Sequence, residues 1–94
     1  MPRFKVAHIR EQGQDMVIVP LDSGFGRKMS NEQQAIAAEL QLRSQSAGMA
    51  GQVIPVWDNG GGRMGFFAPH SWHAFFSSIN LRWVFANINR ELFW

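Results

Sequence analysis

Apolar and polar positions alternate from Phe4 to Arg10. Phe4, Val6 and His8 point one way, and Lys5, Ala7 and Ile9 the other. A period of two predicts a strand. "EQGQ" (Glu11–Gln14) supplies a glycine turn, and "DMVIVPL" (Asp15–Leu21) is a β-branched apolar run. Such a run predicts a second strand covered on both faces. The two strands make a hairpin, which Pro20 closes because proline has no N–H to give a ladder.

The period then lengthens. Ile36, Ala37, Leu40 and Ala47 share one helical face, and Glu39 and Arg43 form an i,i+4 pair on the outside. Ser30 is the expected N-cap, with Gln33 three residues on to complete a capping box. Gly48 is the expected C′ stop. "QVIPVWD" (Gln52–Asp58) predicts a third strand, and Pro55 inside it predicts a sheet edge. "NGGG" (Asn59–Gly62) turns the chain, "RMGFFA" (Arg63–Ala68) predicts a fourth strand, and Pro69 ends it.

Two helical segments follow. Trp72, Phe75, Phe76 and Ile79 fall at i, i+3, i+4 and i+7. Asn80 then caps a last helix whose stripe is Leu81, Val84, Phe85, Ile88 and Leu92. The expected fold is α+β in order β-β-α-β-β-α-α: a four-stranded, mainly antiparallel sheet from two hairpins, with helices mostly on one face.

Ninety-four residues make one domain, residues 1–94. With 46% hydrophobic and 17% charged residues the chain is a folded one. No cysteine is present, which excludes disulfides, thiolate metal sites and a thiol nucleophile. The start of the sequence does not read as a signal peptide, and no run of about 18 apolar residues occurs, so a cytoplasmic protein with no membrane partner is expected. The net charge is only +2, and the longest basic run is two residues. That permits nucleic acid, but a dedicated phosphate binder shows a denser stripe.

The first stretch with candidate chemistry is "DSGFGRKMSNEQQ" (Asp22–Gln34). A phosphate-cradling Walker A loop needs glycine where Leu21 stands, and a dinucleotide loop needs glycine where Met29 stands. What remains is generic: Gly24 and Gly26 let the chain turn, and Arg27, Lys28 and Ser30 stand at a helix start that attracts anions. The second stretch is "WDNGGGR" (Trp57–Arg63), where Trp57 and Arg63 flank a glycine tip that can stack on a base or clamp a peptide. The plain alternative for the first is a chain reversal with solvated cations, and for the second, the favoured one, a loose hairpin turn with Trp57 half in the core.

The histidines do not assemble into a metal site on these elements, and no acid–base pair or nucleophile motif is spelled out. No catalytic residue, metal ligand or cofactor is therefore assigned. On the last helix, Trp83, Arg90 and Trp94 fall on one line opposite the apolar stripe. Tryptophan and arginine there point to an interface, most simply with a second copy. The expected function is a small non-enzymatic binding module acting by protein contact, as a homodimer. The alternatives are nucleic-acid binding through Arg27, Lys28, Arg63 and nearby aromatics, or a small-anion or metabolite site at the first helix start.

Overall fold

The computed structural model describes residues 3–11, 13–49, 51–61 and 63–93. Its strands are β1 (Arg3–Glu11), β2 (Gln14–Pro20), β3 (Gln52–Asp58), β4 (Met64–Phe66) and β5 (Arg90–Phe93). Its α-helices are α1 (Ser30–Ser46), α2 (His73–Ser77) and α3 (Leu81–Ala86), with 3-10 turns at Ser23–Arg27 and His70–Trp72. The class is α+β, but the sheet has five strands in the order β4-β3-β2-β1-β5. Both expected hairpins form, β1 with β2 and β3 with β4. The sheet is nevertheless mixed, because β3 lies parallel to β2 in the register Val17↔Val53 and Ile18↔Ile54.

The crossover helix explains the parallel pair. A 17-residue α1 spans roughly 25 Å, about the length of a seven-residue strand. It therefore returns the chain to the starting end of the sheet, and β3 must run the way β2 ran. Gly48 stops α1 as C′, at φ +80. The predicted Glu39–Arg43 pair is present at 3.1 Å.

Strand alternation divides the core in two. Val6, Val17, Val19, Val53 and Leu92 face α1 and meet Leu40 and Met49. Ala7, Met16, Ile18, Ile54 and Val56 face the other way and meet Phe76 and Val84. Helices thus cover both faces, not mostly one, and the apolar run of β2 has no solvent side.

Three further expectations are corrected. Pro55 is not at an edge, since β3 sits between β2 and β4. Its carbonyl accepts from Phe67 N–H at 3.0 Å, so its missing donor faces the β4 side just where that ladder stops. Beyond β4 the same edge of β3 is served by a side chain. Gln41 donates to Gly51 O at 3.0 Å and accepts from Val53 N–H at 2.8 Å, so one amide stands in for a strand.

Ser30 is not the N-cap. It is the first residue of α1, Met29 holds the cap position, and no side chain caps the end. Gln33 turns away from a capping box and donates to Phe25 O at 2.9 Å. Ser30→Ala is therefore expected to leave the urea midpoint unchanged within about 0.5 kcal/mol, as at ordinary surface sites. A loss near the ~1 kcal/mol of a true cap, read by circular dichroism, would make Ser30 the cap after all and start the helix at Asn31.

The last helix is shorter than its stripe. Asn80 caps α3 as expected, accepting from Trp83 N–H at 2.9 Å. The helix stops at Ala86, and the chain then becomes β5, antiparallel to β1. Asparagines cause the break. Asn87 donates to Trp83 O at 2.7 Å, and Asn89 clasps His8 through both backbone groups at 2.9 Å each. Phe85, expected in the core, is 59% exposed.

Candidate functional site

Parallel strands end on the same side. The chain leaves β2 at Pro20 and β3 at Asp58 at one end of the sheet, so the two glycine loops emerge together there. Sheet ends of this kind, at the carboxyl ends of parallel strands, are where α/β proteins build clefts. Leu21 N–H donates to Val56 O at 2.7 Å and ties the first loop to β3. The loop then winds into the 3-10 turn through Phe25 N–H to Asp22 O at 3.1 Å, and α1 follows. In the second loop Asp58 Oδ1 accepts from Gly60 N–H at 2.9 Å, and Asn59 N–H reaches Arg63 O at 2.8 Å.

Trp57 joins the loops. Its indole is 9% exposed and lies 5.0 Å from the Phe25 ring, tilted by 59°. A Cβ on Gly26 would land on Trp57 Nε1, and a Cβ on Gly65 would land on the indole edge at Cε2 and Nε1. The glycines are thus required by close approach to a ring, not by a bound phosphate. Trp57 packs into the core, as the plain reading of this loop expects, and not on the hairpin tip. Its Nε1–H meets no acceptor among the described residues.

Arginines stand around this wedge. Arg27, Ser23, Asp58, Asn59 and Gly60 line a cleft of about 310 Å³. On the other side of the hairpin, Arg63 and Arg82 share a cleft of about 300 Å³ with Asp58 and Asn80. Arg27, Lys28, Arg63 and Arg82 are exposed, and among the described residues none of the four pairs with a carboxylate. The Ser23–Arg27 turn is a ridge: Arg27 faces the first cleft, while Phe25 and Lys28 line an apolar groove of about 370 Å³ behind it.

The structure brings Gly24, Gly26, Arg27, Lys28, Ser30, Trp57 and Arg63 to one end of the molecule. It does not gather the other predicted set. Trp83 lies in α3, half-buried and edge-on to Phe75 at 5.8 Å, whereas Arg90 lies in β5 opposite Val6. Trp94 lies outside the described residues. The helical line that joined these three does not form, because the helix ends before Arg90.

Sequence reading missed Arg82, Asn80 and Asp58. Asp58 looks like an ordinary turn residue, and only the packing of α3 beside the β3–β4 hairpin places Arg82 near it. Among the described residues no helix is long and apolar enough to cross a membrane. Compared with known proteins, the chain matches no family model, no curated protein and no solved structure.

Proposed function

We propose that the chain is a small, cytoplasmic, non-enzymatic protein-binding module, and that its contact face is the end of the sheet where the two glycine loops meet. The supporting observation is that Arg27, Arg63 and Arg82 line two open clefts, with Asp58 exposed between them, and that none of the three arginines pairs with a carboxylate among the described residues. Arginine at a desolvating surface is a frequent anchor for a protein partner. The mixed sign matters. Asp58, which lines both clefts, repels a polyphosphate, and among the described residues no exposed indole stands at the wedge for bases to stack on. A protein surface with acidic residues and hydrogen-bond donors fits the arrangement better.

The test is charge reversal. Arg27→Glu with Arg63→Glu is expected to weaken a partner captured by the wild-type protein and identified by mass spectrometry by roughly 10-fold or more in calorimetry. The thermal midpoint should hardly move, since both side chains are exposed and neither pairs with a carboxylate among the described residues. Undiminished binding by the double variant removes the face from the reading. Retention on oligothymidylate that falls steeply with salt moves it to nucleic acid instead.

A further inference from the structure

The histidines that follow β4 carry an inference that does not depend on the contact face. The sequence pattern assembles no site from three histidines, but the fold brings two of them together. After Pro69 the chain winds into the 3-10 turn His70–Trp72. Trp72 N–H donates to Pro69 O at 2.9 Å, and His73 N–H donates to His70 O. Such a turn has three residues per turn, so side chains at i and i+3 eclipse. His70 and His73 are that pair. Both are exposed, and their ring centroids lie 5.2 Å apart.

His73 is held in place. Its Nε2 lies 3.0 Å from Ala68 O, and the Phe66 ring stands at 84° to it, 5.2 Å away. A carbonyl only accepts, so Nε2 carries the proton, and the lone pair of the neutral ring is on Nδ1. Metal-binding histidines are set up in this way, with one nitrogen donating to a carbonyl and the other left for the ion. The spacing of the pair suits one ion. A zinc–nitrogen bond of about 2.0–2.1 Å puts the centre of a bound imidazole about 3.2 Å from the metal. Two such rings at a tetrahedral angle are then about 5.2 Å apart, which is the separation observed. A square-planar ion needs neighbouring rings about 4.5 Å apart.

We propose that His70 and His73 bind a zinc ion, with His73 ligating through Nδ1. Among the described residues no third His, Asp or Glu joins them, so water fills the remaining positions. The site is therefore an exchangeable surface centre, unlike a structural one closed by four protein ligands. Binding costs little reorganisation, because the turn has already eclipsed the pair and Ala68 has already set the tautomer. The ion ties the 3-10 turn to the first residue of α2.

The test is a titration of the untagged full chain with zinc chloride, read by calorimetry and by ring-nitrogen shifts in nitrogen–proton correlation spectra. One ion per chain is expected, with His73 Nδ1 moving while Nε2 keeps its proton. His70→Ala and His73→Ala, both at exposed positions, should each weaken binding at least ~10-fold. His8→Ala should leave it unchanged. Zinc should also raise the thermal midpoint of the wild type. It should not raise that of His70→Ala, which keeps the bond from His73 to Ala68. Magnesium, which takes oxygen ligands, should shift neither ring.

No shift of either ring at millimolar zinc overturns the site. Binding that survives both alanine changes is adventitious zinc elsewhere on the surface and overturns it too. A zinc-bound His73 Nε2 overturns the role given to Ala68, and one ion shared by two chains overturns the single-chain geometry.

Discussion

Gly51→Ala is expected to destabilise the protein by more than about 3 kcal/mol, a large part of the ~5–15 kcal/mol that holds a domain together. Gly51 sits at φ +107, just before β3, where side chains are strained by about 1–3 kcal/mol. Strain is the smaller part. A Cβ there would land on the carbonyl of Asp15 and beside Met16 N. Both are main-chain atoms of β2, so no rotamer change relieves the clash. Relief requires β3 to move off β2, and Gln41 holds Gly51 from the other side. Gly48→Ala is the control: φ is +80, but nothing lies within 4 Å of the added methyl. It should show only the left-handed backbone cost, about 1–2 kcal/mol. Urea unfolding of both variants makes the comparison. A Gly51→Ala midpoint no lower than that of Gly48→Ala contradicts the close β2–β3 approach described here.

The second large effect is expected at Trp57. Trp57→Ala should cost about 3–5 kcal/mol, because a buried ring leaves a cavity that the sheet cannot collapse to fill. The damage should also be functional. Gly26 in the 3-10 turn and Gly65 in β4 both rest against one indole, so without it Arg27 and Arg63 lose their common reference. Partner binding should fall even at temperatures where the variant is folded. Trp57→Phe should cost much less. It keeps an aromatic ring against Phe25 and removes an N–H that has no acceptor among the described residues, which offsets part of the lost area. Chemical denaturation gives the stabilities, and the amide shifts of Gly26 and Gly65 report the 3-10 turn and β4. Trp57→Ala with wild-type stability and unmoved glycine signals would show that the indole is not the wedge.

Much of the fold is legible in the residues, and the failures have physical causes. The alternation of β1, the β-branched run of β2 and the Gly48 stop of α1 are local signals, and local structure obeys them. Ser30 is a good cap by type, yet Gln33 finds the Phe25 carbonyl and the box never closes. Leu81, Val84, Phe85, Ile88 and Leu92 have helical spacing, but Asn89 is worth more as a clasp on His8 than as a helix residue. That choice depends on a strand 81 residues away, which no window along the chain can see. The candidate site divides in the same way. Each glycine loop is visible in the sequence, and so are its cations. Their convergence follows only from the parallel pairing of β2 with β3. The face to which Trp57 points follows only from the pleat.

The clasp between Asn89 and His8 also sets an order of events for a chain made from its amino end. β1 meets β2 within a short hairpin, but its other edge waits for residues 89–93. At about 5–20 residues per second, a ribosome needs about 4–16 s to supply them. Throughout that interval the open edge of β1 presents N–H and C=O groups to any extended segment nearby. Closing it then requires one of the longest loops the chain contains, which slows folding. Misassembly during synthesis is thus concentrated on β1, and a holdase that shields the β1–β2 hairpin until β5 arrives would act at the most exposed point of the pathway.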